Sequence, residues 1–275
     1  MNNKLHRSEK DSLGAKSIPE DALYGIQTLR AVENFPISGE WIPRELVIAY
    51  AHLKKACAQA NESLGLLPAK LAKPIAQACD EIIAGKHADQ FPVDVFQAGA
   101  GTSTNMNLNE VIANRALELM GRPKGRYDLI SPNDHVNMAQ STNDTYPTAM
   151  RLAMLMQFDA LDQKLKSLEK AFAQKAREFK TILKSARTHL QDAVPITLGR
   201  EFGAYARTLD ALRKNLRAAQ NSLALLGIGG SAAGTGLNVH PKFPRLVVRF
   251  LQKNTGLRLK NAPDLVDSMQ SQRQI

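Results

Sequence analysis

Two long segments of the chain carry apolar residues at alternating spacings of three and four, and this pattern constrains the fold most strongly. Apolar residues at this period mark one face of a helix that packs against other helices. The sequence therefore predicts a bundle of long helices, within one monomer or shared between subunits. The first seam is Phe158, Leu161, Leu165, Leu168 and Phe172, and the second is Phe202, Tyr205, Leu209, Leu212, Leu216, Ala219, Leu223 and Leu226.

The composition agrees with a helical globular protein. Aromatic residues make up only 5% of the 275 residues, while Ala and Leu are plentiful, which favours helix. We find no run of eighteen apolar residues and no secretory signal, so we expect a cytoplasmic protein without a membrane span. Cys57 and Cys79 lie in helical patterns, and we interpret them as small core residues in a reducing compartment rather than as a disulfide or metal site.

The sequence predicts two domains. Residues 1–140 form a small N-terminal helical domain, and residues 141–275 form a central helix bundle that is incomplete. In the first region we expect irregular structure over 1–40, extended structure over 89–97 and loop over 122–140. Helices are predicted at 43–64, between Pro68 and Gly85, and over "NEVIANRALELMG", each ending at a glycine.

The formal net charge is +10. A basic balance suits nucleic acid or an anionic small substrate. Here the Lys and Arg residues are scattered along long helices, as in "DQKLKSLEKAFAQKAREFK", without interleaved aromatic residues. We therefore interpret most of them as a solvated helix face and expect no nucleic-acid partner, keeping a basic nucleic-acid binder as the weakest alternative.

Three uncharged polar segments precede helices. They are "GAGTSTNMNLN" at 99–109, "MAQSTNDTYPTAM" at 138–150 and "SARTHLQDAVPITLG" at 185–199. Helix N-termini offer free N–H groups and a partial positive charge, which suits anions. Each segment alone could serve only as a helix cap, and His189 alone could be a structural histidine. Three in series, each richer than a cap requires, favour a binding site.

The glycine-rich segment "GIGGSAAGTGLN" at 227–238 lacks the Gly-Lys-Ser/Thr ending of a phosphate-binding loop and follows a helix. We interpret it as a turn between long helices. The last segment, "NAPDLVDSMQSQRQI", begins as a helix and reaches Ile275 without a glycine or a cap, so we expect the chain to be cut inside an element.

The three polar segments, in this order and with these long helices, resemble the fumarase/aspartase superfamily. "GAGTSTNMNLNEVIANRA", "AQSTNDTYPTAM" and "ARTHLQDAVPITLGREFGAYA" are similar to its motifs, as is "EDALYGIQTLRAVENFPISG" at 20–39. The details look more like aspartate ammonia-lyase than class II fumarase, because "GTSTNMN" and "STND" replace the fumarase patterns. The resemblance implies reversible conversion of L-aspartate to fumarate and ammonia, with no cofactor. No metal is expected either, because the histidines are scattered.

The resemblance also implies roles for individual residues. Thr102, Ser141 and Thr142 would hold the side-chain carboxylate of the substrate. Asn143 and His189 would face its amino group, and Thr188 its other carboxylate. Neutral hydroxyl and amide donors suit an intermediate whose second carboxylate charge appears only during the reaction.

The family's catalytic base is a serine in a Gly-Ser-Ser loop followed by Met-Pro-x-Lys-x-Asn, and these 275 residues contain no such segment. The resemblance further implies a homotetramer, formed through the central helices, in which three subunits build each site. We therefore expect this chain alone to have little or no lyase activity. Two alternatives stay open: a class II fumarate hydratase, and a non-catalytic subunit that binds a partner through the 202–226 seam.

Overall fold

A computed structural model describes residues 5–272, and its fold is mainly helical, as the sequence predicts. The described residues form two compact units. The first comprises 5–153 together with 224–272, and the second comprises 154–223. The boundary between 140 and 141 drawn from the sequence stays a prediction. Among the helices of residues 5–272, none is both long and apolar enough to cross a membrane.

Residues 5–40 contain three regular elements, so the expectation of irregular structure is wrong for 6–34, while residues 1–4 lie outside the described range. Strands β1 (His6–Asp11) and β2 (Gly14–Pro19) form an antiparallel hairpin, and helix α1 (Ile26–Asn34) follows. The strands are mostly polar and bury few side chains, so they lack the apolar alternation that indicates a strand. Long-range contacts fix α1 instead, because Glu110 accepts hydrogen bonds from the backbone N–H groups of Gly25, Gln27 and Thr28.

The helices predicted from glycine stops are confirmed. Helix α2 (Arg44–Ser63) and helix α3 (Ala69–Ile83) pack against each other, and Gly65 and Gly85 follow them with positive φ angles. Cys57 and Cys79 are both buried and free, which confirms them as core residues.

Helix α4 (Thr102–Leu119) begins earlier than the sequence suggests. Only the first three residues of "GAGTSTNMNLN" are loop, and the rest form the first two turns of the helix. Most of these polar side chains are buried, since α4 packs on α1 and α3. Residues 89–97 are only partly extended, with a short 3-10 turn at Ala88–Gln90 and a bridge between Trp41 and Asp94. The predicted loop at 122–140 contains one π-helical turn, Pro132–Val136.

The two predicted long helices are present. Helix α5 (Thr142–Glu178) begins in the first unit and continues into the second, and helix α6 (Leu198–Leu223) lies wholly in the second. The polar segment at 185–199 is not a loop, because strands β3 (Leu183–Thr188) and β4 (Gln191–Thr197) pair as an antiparallel hairpin. Tyr205 and Leu212 of the second seam are about half exposed.

The remaining elements belong to the first unit. Strand β5 (Leu225–Leu226) pairs in parallel with β6 (Lys260–Asn261). Leu226, which the apolar spacing included in the second helical seam, therefore lies in a strand after α6 has ended. The segment 227–238 is irregular as predicted, but it follows strand β5 and leads to the 13-residue helix α7 (Phe243–Thr255), so it does not join two long helices. Helix α7 packs on α2. Helix α8 (Leu265–Gln270) lies within the predicted C-terminal helix, but it ends at Gln270 and Ser271 is extended, so the expected continuation of the helix is wrong there. Residues 273–275 lie outside the described range.

Candidate active site at two helix starts

The start of α5 is a reciprocal cap. The Ser141 hydroxyl oxygen accepts the N–H of Asn143 at 3.2 Å, and Asp144 Oδ1 accepts the N–H of Ser141 at 3.0 Å. The contact of Asp144 is that of a capping box, with an acidic residue at the third helical position, whereas the Ser141 hydroxyl caps the second N–H and not the third. The capping interpretation is therefore correct for Ser141, whose hydroxyl proton nonetheless stays available for a further acceptor.

Asp144 also binds the glycine-rich segment. Its Oδ2 accepts the backbone N–H groups of Gly229 and Ser231, both at 3.0 Å. Burial raises the pKa of this carboxyl to about 6, although the three backbone N–H donors oppose the shift. The neighbouring Asn143 donates from Nδ2 to the carbonyl of Ala232 at 2.8 Å. The glycine-rich segment thus fixes the first turn of α5, a function that the sequence did not reveal.

The start of α4 lies against the start of α5. Gly101 has φ +89°, and a Cβ atom there would overlap the ring of Tyr146 on α5. Only glycine fits this position for both reasons. The cap of α4 comes from upstream, where Gln97 Oε1 accepts the N–H and the hydroxyl of Thr104 at 2.8 Å each.

Thr102, the first residue of α4, is exposed and lines a cleft of about 550 Å³. Gln27 and Arg30 of α1 line the same cleft, together with Ser103 of α4. The Arg30 guanidinium makes two hydrogen bonds of 2.8 Å to Asp11, so its charge is already paired. Glu33 of α1 also lines the cleft and pairs with Lys16, so the polar groups near Thr102 are either neutral or already in ion pairs.

Asn105 joins the two helix starts. Its Nδ2 donates to Thr142 Oγ1 at 3.2 Å and to Asn137 Oδ1 at 3.2 Å. Its Oδ1 lies 3.0 Å from the Tyr50 hydroxyl, which also lies 2.7 Å from Thr145 Oγ1. Because Thr142 Oγ1 is an acceptor here, its own proton is left to donate, and it has no acceptor among the described residues. Thr142 is about 9% exposed, so this proton lies at the edge of the network.

Lys54 of α2 completes the network and is fully buried. Its Nζ donates to Asn137 Oδ1 and to Gln140 Oε1, both at 2.9 Å, and lies 5.5 Å from the centre of the Tyr50 ring. Burial lowers the pKa of this amine to about 7, since a charged group loses its hydration there.

Thr188 and His189 lie elsewhere, in the second unit. They stand at the tip of the β3–β4 hairpin, where Thr188 pairs with Gln191 across a two-residue turn. His189 and Leu190 both have positive φ angles, of 46° and 62°, which is unusual for residues with a side chain. Both predicted residues are exposed. The structure thus places Ser141, Thr142 and Asn143 at one helix start, and Thr102 on the neighbouring helix lines a cleft to which these three residues do not contribute. Thr188 and His189 belong to the second unit.

Sequence reasoning did not find Lys54, Asn105, Asn137 or Asp144. Asn105 and Asp144 lie within the three polar segments, and the polar character that marked their neighbours as candidates applies to them too. Lys54 lies in a helix full of ordinary charged residues, and nothing local marks it as buried. Residues 5–272 hold no group of three or more His, Cys, Asp or Glu that could bind a metal ion.

The fold and these helix starts define a class of protein. A family model described as "Lyase" matches residues 14–275. The chain therefore belongs to this lyase family, within the fumarase/aspartase superfamily.

Individual relatives are also similar. Aspartate ammonia-lyase from Bacillus sp. is 51% identical over 265 residues, which are 96% of this chain and 57% of that protein. Class II fumarate hydratase from Halobacterium salinarum is 50% identical over 261 residues, covering 94% of this chain and 55% of that protein. A crystal structure described as fumarate lyase:delta crystallin from Brucella melitensis, bound to cobalt, superposes with a TM-score of 0.90 at 50% identity. It is covered over 58% of its length, by 96% of this chain.

The chain spans somewhat more than half the length of these relatives. The family assignment covers nearly the whole chain, but it does not by itself assign the activity of these longer relatives to this chain.

Proposed function

We propose that this chain carries the substrate-binding part of an aspartate ammonia-lyase, which converts L-aspartate reversibly to fumarate and ammonia. The observation that carries the proposal is the pair of joined helix starts, with hydroxyl protons at Thr102, Ser141 and Thr142 free to donate. The high identity to proteins named aspartate ammonia-lyase supports the same reaction.

The chemistry accounts for the neutral donors. A base removes a proton from the carbon next to the side-chain carboxylate, and the resulting carbanion spreads its charge onto that carboxylate. The product of this step is an aci-carboxylate with two negative charges. Preorganised donors that meet this charge as it appears lower the barrier more than they tighten ground-state binding. Uncharged hydroxyls do so without the large desolvation penalty of a buried charge.

In this proposal Thr102, Ser141 and Thr142 hold the carboxylate that gains charge. Asn143 faces the amino group with the Nδ2 proton that Ala232 does not use. Thr188 binds the other carboxylate, and His189 supports the amino group from the hairpin. The positive φ angles of His189 and Leu190 are those that a two-residue hairpin turn requires, although His and Leu are unusual where Asn and Gly are preferred. The homotetramer of the family, with sites shared between subunits, is part of the proposal.

The chain alone is expected to have little or no activity, because it lacks the Gly-Ser-Ser loop that carries the family's base. The first experiment reads the coding DNA beyond the codon of Ile275. If the DNA encodes a Gly-Ser-Ser segment and Met-Pro-x-Lys-x-Asn there, we would express and purify the longer chain. Otherwise the chain is mixed with the C-terminal part of the Bacillus sp. relative beyond the aligned region.

Fumarate is then measured by its absorbance, with L-aspartate or L-malate as substrate. We expect fumarate from L-aspartate in the completed assembly and almost none from the chain alone. Faster formation of fumarate from L-malate would instead indicate a fumarate hydratase. This is the second candidate function, because the Halobacterium salinarum relative carries that name. A stable complex without either activity would favour the non-catalytic subunit, and activity of the pure chain would overturn the expected inactivity.

A further inference from the structure

Lys54 is an unusual residue for a protein interior. It is completely buried, yet it makes no salt bridge in the described part of the chain, and both of its hydrogen-bond partners are neutral amides. Lysine is almost never fully buried unless it is paired. Burying an amine without a countercharge costs free energy, so packing alone does not explain a lysine at this position.

The partners of Lys54 fix the direction of two hydrogen bonds. Lys54 Nζ is the donor in both of its hydrogen bonds, so the atoms opposite it are oxygens. Asn137 and Gln140 therefore present Oδ1 and Oε1 to Nζ, both at 2.9 Å. Side-chain amides can turn over by half a rotation and exchange their oxygen for nitrogen. Lys54 removes that freedom from Asn137.

The orientation of Asn137 in turn fixes the orientation of the Asn105 side-chain amide. Asn137 Oδ1, oriented by Lys54, also accepts from Asn105 Nδ2 at 3.2 Å. The second proton of the same nitrogen is donated to Thr142 Oγ1 at 3.2 Å. Asn105 in the opposite orientation would present its oxygen to Thr142 and would take the hydroxyl proton. In the orientation observed, Thr142 accepts from Asn105 and keeps its proton for another acceptor.

We infer that Lys54 is a positioning residue: through Asn137 and Asn105 it fixes the direction of the hydrogen bond at Thr142, so that this hydroxyl offers its proton to a substrate carboxylate. The inference rests on the proposed function, since it needs Thr142 to bind a dicarboxylate. Lys54 itself lies two amides away from Thr142, behind Asn137 and Asn105.

The neighbouring lysine provides a matched control. Lys55 is the next residue of α2, but its Nζ pairs with Asp80 at 2.6 Å at the surface. Replacing either lysine with Met removes one amine from the same turn of the same helix. Only Lys54→Met removes the donor that orients Asn137.

The test uses the whole 275-residue chain and two NMR readouts. The first follows the side-chain amide signals of Asn105 and Asn137. The second follows the backbone amides of Thr142 and Asn143 during titration with succinate, a dicarboxylate that cannot react. We expect Lys54→Met to shift the Asn105 and Asn137 signals and to weaken succinate binding about tenfold, the equivalent of one hydrogen bond. Lys55→Met should leave both readouts within twofold of the original chain.

Unchanged Asn105 signals or unchanged succinate affinity in a folded Lys54→Met chain would overturn the inference. If this variant does not fold, Lys54→Gln replaces it, since its amide can donate or accept and no longer fixes one direction. We then expect two sets of Asn105 signals, and a single unshifted set would be contrary. If succinate does not shift Thr142 in the original chain, the site in the proposed function fails, and the Asn105 signals alone decide the role of Lys54.

Discussion

The start of α5 and the tip of the β3–β4 hairpin are both predicted to bind substrate, yet they are built in opposite ways. At the helix start, Ser141 and Asp144 cap each other and Thr142 is anchored by Asn105. At the hairpin tip, Thr188 and His189 are exposed, and the side chains of Leu190 and Val194 are 91% and 62% exposed.

This difference teaches which part of a site the chain organises by itself. The helix start is preorganised by buried hydrogen bonds, which are rigid because breaking one leaves a polar group without a partner. The hairpin tip has few such contacts in the described structure, so the described residues do little to fix its side chains. Substitutions at the helix starts should therefore change the reaction or the stability strongly, whereas substitutions at the hairpin tip should change the stability little.

The largest expected effect is on the reaction. Thr142→Val in an active assembly should lower turnover by about 100- to 1000-fold, as loss of one oxyanion donor does. Thr148→Val is the control, because Thr148 is buried on the same helix and its hydroxyl bonds only to the carbonyl of Asp144. Steady-state assays with L-aspartate and thermal unfolding check both variants. Turnover of the Thr142 variant equal to that of the original would contradict its proposed role.

The second effect concerns the junction of the two helix starts. Gly101→Ala should lower the free energy of unfolding by about 3 kcal/mol, because strain at positive φ adds to overlap with the Tyr146 ring. Gly39→Ala has a similar φ but open space around it, so it should cost only about 1 kcal/mol. Urea unfolding of both variants measures the difference. Equal losses would show that α4 and α5 do not depend on this close approach.

The third effect is a pH dependence at the α5 cap. The pKa of Asp144 is raised to about 6 in the folded chain, so the native state binds more protons than the unfolded state between pH 4 and 6. The stability that Asp144 contributes is therefore fully present below pH 4 and is lost as the pH rises through 6. The advantage of the original chain over Asp144→Asn should shrink by about 2 kcal/mol between pH 4 and 7.

Urea unfolding at several pH values measures this change, and Asp162→Asn in the second unit is the control. Arg217 and Arg213 lower the pKa of Asp162 to about 2. Its contribution is present above about pH 4 and is lost only as the pH falls through 2. The difference caused by Asp162→Asn should thus stay constant from pH 4 to 7. A constant difference for Asp144→Asn as well would contradict the role of its raised pKa.

The smallest effect is at the hairpin tip. Leu190→Gly should stabilise the chain by about 0.5 kcal/mol, because glycine relieves the positive φ and an exposed leucine loses no burial. His189→Ala should change stability by less than about 0.5 kcal/mol, while lowering lyase activity in an assembly. Thermal unfolding and assays of both variants measure these effects. A large loss of stability in His189→Ala would mean that the histidine is structural.

The sequence predicted much of the helical framework from local signals. Glycine stops placed the ends of α2 and α3, and the spacing of apolar residues placed α5 and α6, because both features depend on neighbours within one or two turns. Local polarity was misleading where helix packing or strand pairing decides. Residues 102–109 are helical because α4 packs on α1 and α3, and the segment at 185–199 is a hairpin because its two strands pair with each other.

The sequence alone therefore determined the family, the mainly helical fold and the segments that hold the candidate site. The tertiary structure decided how those residues act: the free proton of Thr142 depends on Asn105, Asn137 and Lys54, which lie 37, 5 and 88 positions away along the chain. A hydrogen-bond direction is set by donors and acceptors that meet only after folding. No pattern of neighbouring residues can specify it, because the partners belong to different helices and loops.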